Sequence, residues 1–241
     1  MQDMKALGNF LYVSLRRPVL VFWLFVLALY FLSFAISYGL GMEELYFQAS
    51  LLVYLFSLAV GWWLVFYTLP YLLQLGASRT QLFLSYGLFF LFFSFLQALL
   101  ANGLMALTKV LGWKPTAGEV VFSTGTSTYS FSFHHLSQFL EKDSFLAQMT
   151  IDTILTCTLL VLSFVLALFF YRFGLAIGLI VAGSFFLLWL ASIATGYFVT
   201  LVEGLVQHYS LSIYFTLFGL ILGFYFLSYV LFYRLLPRKA S

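Results

Sequence analysis

Charged residues are scarce throughout this sequence. They make up 8% of its 241 residues, whereas a soluble domain of this size carries about 25%. Seven stretches of 19 to 34 residues contain no charged residue at all; six are apolar, and the seventh, residues 120–140, is rich in Ser, Thr and His and is not expected to be a span. About 20 apolar residues in a helix cross the roughly 30 Å of bilayer hydrocarbon, so each of the six apolar stretches can hold one membrane span. The lack of charge therefore argues against an ordinary soluble domain and predicts a polytopic membrane protein.

The sequence also lacks the residue patterns that catalysis and cofactor binding require. Its single cysteine, Cys157, lies in an apolar stretch and cannot form an internal disulfide. His134 and His135 are adjacent, so on a strand they would point to opposite faces, and no cysteine or third histidine lies nearby. No Gly-x-x-x-x-Gly-Lys-Ser/Thr phosphate-binding motif is present. We therefore expect no metal site, no cofactor, no nucleic-acid partner and no enzymatic activity in this chain.

The six apolar stretches predict an all-α fold with six transmembrane helices in a single transmembrane domain, residues 1–241. The predicted spans are approximately residues 18–39, 50–71, 82–107, 150–170, 174–199 and 211–234. An apolar stripe within residues 1–17 predicts an interfacial helix ahead of the first span. Residues 200–211 are too hydrophobic for an ordinary loop, and we expect either a re-entrant segment or a plain loop there.

Residues 108–149 form the only long segment between predicted spans, and we expect an external insert. Residues 119–123 and 126–133 are rich in Val, Thr, Tyr and Phe, and this composition predicts a small β-hairpin. An amphipathic pattern that starts at Leu136 predicts a short helix after the hairpin.

The basic residues are distributed unequally between the two sides that six spans would create. The side that holds both termini has eight of the eleven Lys and Arg residues, and the other side has seven of the eight acidic residues. Because Lys and Arg near span ends stay on the cytoplasmic side, we expect both termini in the cytoplasm. The expected location is a plasma membrane of bacterial type, with membrane lipid around the bundle.

Small and polar residues inside the predicted spans indicate helix packing. Two Gly-x-x-x-Gly pairs predict close helix contacts, either within the bundle or between subunits; they are Gly174 with Gly178 and Gly219 with Gly223. Asp152 is expected near the start of the fourth span, where a carboxylate interacts favourably with the helix dipole. Five uncharged polar residues either line a translocation surface or bond between helices: Gln97, Asn102, Thr153, Thr156 and Thr158.

The cytoplasmic loop between the second and third spans contains several local structure signals. Arg79 is the only charged residue within residues 69–83. Pro70 can kink the second helix, Gly76 can end a short helix, and Ser78 can cap the next one. The pattern predicts a brief helix–turn–helix, which is either an ordinary tight loop or a plug for a groove on a partner protein.

Two short phrases of the sequence resemble a known family. Residues 75–83, Leu-Gly-Ala-Ser-Arg-Thr-Gln-Leu-Phe, resemble a Gly-x-Ser/Thr-Arg-x-x-x-Phe-like phrase of type-2 ATP-binding-cassette exporter permeases. Residues 171–174, Tyr-Arg-Phe-Gly, are similar to an Arg-Phe/Trp-Gly phrase of some members. The order of these phrases and the six predicted spans also match the family layout. The long insert lies between the third and fourth spans here, whereas the best-known members elaborate the region between the fifth and sixth.

The resemblance implies a permease subunit that exports an amphiphilic or hydrophobic substrate, such as a peptide, an antibiotic or a lipid. It implies a second permease subunit, identical or different, and two cytoplasmic ATPase subunits that bind ATP and magnesium. The implied coupling helix consists of Gln74, Leu75, Gly76, Ala77, Ser78, Arg79, Thr80 and Gln81. The implied second cytoplasmic contact consists of Arg172, Phe173 and Gly174. Arg79 would pair with an ATPase carboxylate or cap a helix. The alternative is a membrane-embedded binding or immunity protein that acts without an ATPase.

Overall fold

The computed structural model of the chain describes residues 2–39, 44–45, 49–110, 114–115, 118–124, 127–133, 145–196 and 211–233. The helices are α1 (Gln2–Gly39), α2 (Ala49–Trp63), α3 (Leu69–Gln74), α4 (Arg79–Val110), α5 (Phe145–Ala194) and α6 (Leu211–Tyr233). A π-helical segment, Leu64–Thr68, joins α2 to α3. The strands are β1 (Glu44–Leu45), β2 (Lys114–Pro115), β3 (Gly118–Thr124) and β4 (Ser127–Phe133).

Among the described residues, four helical stretches are long and apolar enough to cross a membrane. They are Leu7–Ile36, Ala49–Gln74, Arg79–Leu107 and Phe145–Ser192. This finding supports the multi-pass membrane protein that the charge-free stretches predict. A shorter apolar stretch, Tyr214–Val230, lies in α6.

Helix α5 contains a sharp break at Gly174. The backbone there has φ 84° and ψ 171°, a conformation outside the helical region that is essentially restricted to glycine. The break divides α5 into residues 145–173 and residues 175–194. The candidate span in α5 is 48 residues long, about twice what one crossing needs. Two spans in α5 and one in α6 would give six, and that number stays a prediction.

Helix α1 differs from the sequence-based prediction. It is one helix from Gln2 to Gly39 with Pro18 inside it, so no break separates residues 1–17 from the predicted first span, and an interfacial position of residues 1–17 stays a prediction. Leu7, Leu11 and Leu15 are buried in the main hydrophobic core. The apolar stripe therefore packs against protein. Amphipathic spacing predicts that one face of a helix has an apolar neighbour, but it does not distinguish lipid from protein.

The main core joins α4, the first half of α5 and α6 through aromatic rings. The Phe90 ring lies edge-on to the rings of Phe164 and Tyr225, with centroid distances of 5.1 and 5.8 Å. The Tyr225 ring stacks on Phe83 at 4.2 Å, and its hydroxyl donates a 2.5 Å hydrogen bond to the Phe83 carbonyl. Offset and edge-on arrangements of this kind add stability beyond the area that they bury.

Close helix contacts occur where the sequence analysis did not expect them. A Cβ on Gly61 of α2 would lie 2.7 Å from the Leu160 carbonyl oxygen of α5, so only glycine permits this approach. A Cβ on Gly178 would lie 2.4 Å from the Phe170 ring, which explains one member of a predicted glycine pair. Gly219 and Gly223 have nothing within 4 Å among the described residues, so their predicted packing within the bundle is not seen.

Two pairs of short strands lie in the segments between helices. β3 and β4 are antiparallel, with Gly118 opposite Phe133 and Thr124 opposite Ser127. β1 is parallel to β2, so the segment after α1 pairs with the segment after α4. The turn at 125–126, the short helix expected after it and residues 200–210 lie outside the described residues. The external position of this insert stays a prediction.

Candidate functional site

Helix α3 ends in a turn that depends on glycine. Gly76 has φ +80°, where a side chain would be strained. The Ala77 N–H donates to the Leu72 carbonyl at 3.2 Å, and the Gly76 N–H donates to the Leu73 carbonyl at 3.2 Å. This pair of bonds is a Schellman motif, which satisfies the last carbonyls of a helix.

Helix α4 then begins with a side-chain cap. The Gln81 N–H donates to Ser78 Oγ at 3.3 Å, and the Ser78 hydroxyl donates to Gln81 Oε1 at 2.7 Å. A serine followed three residues later by glutamine is a known signature of a helix start. The predicted helix–turn–helix is therefore confirmed as local structure, with both of its helix ends capped.

The turn at residues 74–81 is anchored on one side and exposed on the other. Leu72 is buried, and Ala77 packs against the main core. Leu75 at the tip is 64% exposed, and Gln74, Gly76, Ser78 and Thr80 are also exposed. An apolar side chain on a capped, exposed turn is suited to a pocket on another protein.

Arg79 and Thr80 connect this turn to the end of α6. Arg79 Nη1 donates a hydrogen bond to the Tyr233 backbone carbonyl, which lies at the C-terminus of α6. The hydroxyls of Thr80 and Tyr229 are 2.9 Å apart. A cation at a helix C-terminus interacts favourably with the helix dipole. Of the two roles expected for Arg79, helix capping is present, and pairing with a partner's carboxylate stays a prediction.

The second predicted contact lies at the break in α5. The Arg172 guanidinium lies 5.1 Å from the centroid of the Phe173 ring, and Phe173 is exposed. The preceding Tyr171 packs edge-on against Phe66 of the π-helical segment, with centroids 6.0 Å apart. Phe66 lies nine residues before Leu75, which is about 13 Å along a helix. Both predicted cytoplasmic contacts therefore belong to the same end of the bundle.

A buried polar cluster joins three helices at the opposite end. Asp152 of α5 is 1% exposed. Its carboxylate accepts hydrogen bonds from Ser50 Oγ at 3.2 Å, Tyr54 Oη at 2.5 Å and Asn102 Nδ2 at 2.7 Å. Ser50 and Tyr54 belong to α2, and Asn102 belongs to α4. Asn102 lies 23 residues after Arg79, or about 35 Å along α4.

The position of Asp152 overturns the prediction that it caps a helix start. Helix α5 begins at Phe145, so Asp152 lies about two turns inside it, too far for the dipole of the first turn. Sequence reasoning missed the cluster because Ser50, Tyr54 and Asn102 lie 50 to 102 residues away along the chain. Ionisable residues inside membrane helices are rare, and they face the bundle interior and commonly serve function.

The uncharged polar residues singled out in the sequence lie along α4 and α5. Gln97 Oε1 accepts a 2.9 Å hydrogen bond from the Trp23 indole, which ties α1 to α4. Thr153 donates to the Met149 carbonyl of its own helix. Gln97, Asn102 and Thr156 are fully buried, so in this chain they do not line an open surface. Gln97 Nε2, Asn102 Oδ1 and Thr156 Oγ1 have no hydrogen-bond partner in the described part of the chain.

Comparisons of the chain with models of protein families, with curated proteins and with solved structures find no match. The resemblance to exporter permeases therefore depends on the turn at 74–81, the link at 171–174 and the arrangement of apolar helices.

Proposed function

We propose that this chain is the transmembrane permease subunit of an ATP-binding-cassette exporter. A separate cytoplasmic subunit hydrolyses ATP with magnesium, and this chain carries the substrate path. The observation that carries the proposal is the capped, exposed turn at residues 74–81, which is bonded to the end of another helix. An ordinary tight loop needs neither the exposed apolar tip nor the bonds to α6.

The turn is suited to receive a force from a partner. Its Schellman motif and serine cap hold the backbone in one conformation, so little conformational entropy is lost when a partner binds it. Leu75 supplies an apolar anchor at the tip. The half-buried Arg172 and the exposed Phe173 provide a second contact at the same end of the bundle.

The bonds of the turn distribute such a force to several helices. α3 continues through the π-helical segment into α2, and Arg79 and Thr80 bond to α6. The Asp152 cluster fixes α2, α4 and α5 to one another about 35 Å away. A push at the turn then rocks these helices about the cluster, which is the kind of rigid-element motion that couples distant sites.

The remaining surface is consistent with lipid and a second permease subunit. In the second half of α5, residues 175–194, large side chains such as Leu175, Ile180 and Leu187 are exposed. Gly219 and Gly223 of α6 also face open space. We propose six spans, with both termini in the cytoplasm and an external insert at 108–149. An amphiphilic or hydrophobic substrate fits the apolar character of these faces.

Affinity purification in mild detergent tests the proposal. We expect a stoichiometric ATP-binding-cassette ATPase to copurify with the wild-type chain and to be lost with Leu75→Asp. Val13→Asp is the matched control, because Val13 is an exposed apolar residue of α1 outside the turn. Recovery of the chain alone, with a bound peptide, would favour the binding or immunity protein. Transport into sealed vesicles without any ATPase would refute the proposed mechanism.

Thiol labelling tests the proposed orientation separately. Ser78→Cys should react with impermeant reagents only after cells are opened, whereas Ser130→Cys should react in intact cells. The native Cys157 is buried and should give little background. The opposite labelling pattern would invert the topology and place the turn where no ATPase can reach it.

A further inference from the structure

Helices α1 and α4 enclose a groove that the transport proposal does not use. It has a volume of about 350 Å³, within the range of about 300–1,000 Å³ typical of small-molecule sites. Tyr12, Arg16 and Val19 contribute to its α1 wall, and Ser85, Leu88 and Phe92 contribute to its α4 wall. We call it the α1–α4 groove. Its lining is almost entirely apolar, with one charged side chain.

The groove runs along two helices that point in the same direction. Arg16 and Phe89 line it together, and further along the same two helices Trp23 bonds to Gln97. The 20 residues from Arg16 to Ile36 correspond to about 30 Å of helix, which equals the hydrocarbon thickness of a bilayer. If α1 crosses a membrane, Arg16 therefore lies at one hydrocarbon boundary. The part of the groove beyond it, towards Phe92, lies among lipid chains.

The polar groups of the groove are suited to an anionic head group. The Arg16 side chain is exposed, and no described residue supplies it with a hydrogen bond or an ion pair. Ser85 is 6% exposed, and its hydroxyl has no hydrogen-bond partner among the described residues. Guanidinium groups bind phosphate through paired, charge-assisted hydrogen bonds. The apolar remainder of the groove offers no partner to a second charge or to a polar peptide.

We propose that the α1–α4 groove binds one anionic phospholipid of the adjacent leaflet. Its phosphate lies against the Arg16 guanidinium, and one acyl chain follows Leu88 and Phe92 into the hydrocarbon. The occupant is a lipid rather than a helix of a second copy, because an apolar helix would leave the Arg16 charge without a counterion. The inference rests on α1 crossing a membrane and does not require an ATPase.

Two pairs of matched variants test the groove. Arg16→Gln removes the charge that lines the groove. Arg17→Gln removes a neighbouring exposed charge that lies outside the groove lining. Leu88→Trp fills the groove, whereas Leu84→Trp adds the same ring to an exposed position one turn earlier on α4, outside the lining. Unfolding temperatures of all four variants establish that each one is folded. General attraction of basic residues to an anionic surface acts on both arginines alike. The two arginine variants therefore distinguish this general attraction from specific binding in the groove.

The measurement is native mass spectrometry of the full chain in neutral detergent, titrated with dioleoylphosphatidylglycerol or dioleoylphosphatidylcholine. We expect the wild type, Arg17→Gln and Leu84→Trp to retain one phosphatidylglycerol in preference to phosphatidylcholine. We expect Arg16→Gln to weaken this binding about tenfold, the loss of one charge-assisted contact. Leu88→Trp should abolish it.

Three outcomes would overturn the proposal. Equal losses with Arg16→Gln and Arg17→Gln would indicate surface charge only. Full retention by Leu88→Trp would show that no acyl chain occupies the groove. A dimer that Leu88→Trp disrupts, with no lipid bound to the wild type, would identify a second copy as the occupant. The assay contains no nucleotide and no partner protein, so a negative result for lipid binding does not bear on the ATPase proposal. Likewise, failure of the ATPase proposal does not bear on lipid binding in the groove.

Discussion

Replacing Asp152 by alanine removes the acceptor that three helices share. Ser50 and Tyr54 of α2 and Asn102 of α4 all donate to this carboxylate, which is 1% exposed. A buried donor that loses its acceptor costs about 1–3 kcal/mol, so three donors set an upper range of about 3–9 kcal/mol. Asn102 keeps its second bond, to the Ala98 carbonyl. We therefore expect the free energy of unfolding to fall by about 3–5 kcal/mol, a large loss of the kind that follows when a buried hydrogen-bond network is broken.

Asp152→Asn is the informative comparison. An amide oxygen at the position of Oδ2 still accepts from Ser50 and Asn102, and the amide nitrogen at the position of Oδ1 donates to the Tyr54 hydroxyl oxygen. The hydrogen bonds are conserved in number and lose only their charge assistance. We expect this variant to lose only about 1 kcal/mol.

Thermal unfolding in detergent, followed by intrinsic fluorescence, measures both variants. For a chain of this length 1 kcal/mol corresponds to about 2–4 °C in Tm. The Tm should therefore fall by about 6–20 °C in Asp152→Ala and by about 2–4 °C in Asp152→Asn. Tyr54→Phe combined with Asp152→Ala in a double-mutant cycle isolates the bond between Tyr54 and Asp152. The reasoning fails if Asp152→Ala unfolds within 2 °C of wild type, or if both variants lose the same amount.

Three further predictions concern the backbone and the turn. Gly61→Val should lower the free energy of unfolding by about 1–3 kcal/mol, because its Cβ would meet the Leu160 carbonyl. Gly103→Ala is the control: its Cβ would enter open space, so it should not destabilise the protein, and Tm measurements compare the two variants. Gly76→Val places a branched side chain at positive φ, at a cost of at least about 1–2 kcal/mol, and should reduce ATPase copurification. Unchanged recovery of the ATPase would argue against the turn as the contact. Arg79→Glu puts a negative charge at the C-terminus of α6 and should lower transport and ATPase coupling while membrane insertion is retained; normal export by a correctly inserted variant would contradict the assignment.

The local structure of the turn at residues 74–81 was predictable because its determinants are adjacent in sequence. Gly76 supplies the positive φ that ends α3, and Ser78 caps α4 through a residue three positions away. The apolar helices were predictable for a similar reason, because the length of a charge-free stretch sets whether it can cross a bilayer. The prediction of a membrane protein with several long apolar helices therefore needed only composition and spacing.

Long-range contacts decided the features that the sequence analysis missed. The stripe of Leu7, Leu11 and Leu15 fits a lipid surface and a protein core equally well, and only the tertiary structure shows that it faces the core. Asp152 looked like a helix cap until α2 and α4 supplied its three donors. The sequence by itself determines which segments are helical, how each turn is capped and that the helices suit a membrane, because those choices depend on near neighbours. The tertiary structure alone decides what each helix face meets, because the partners come from distant parts of the chain.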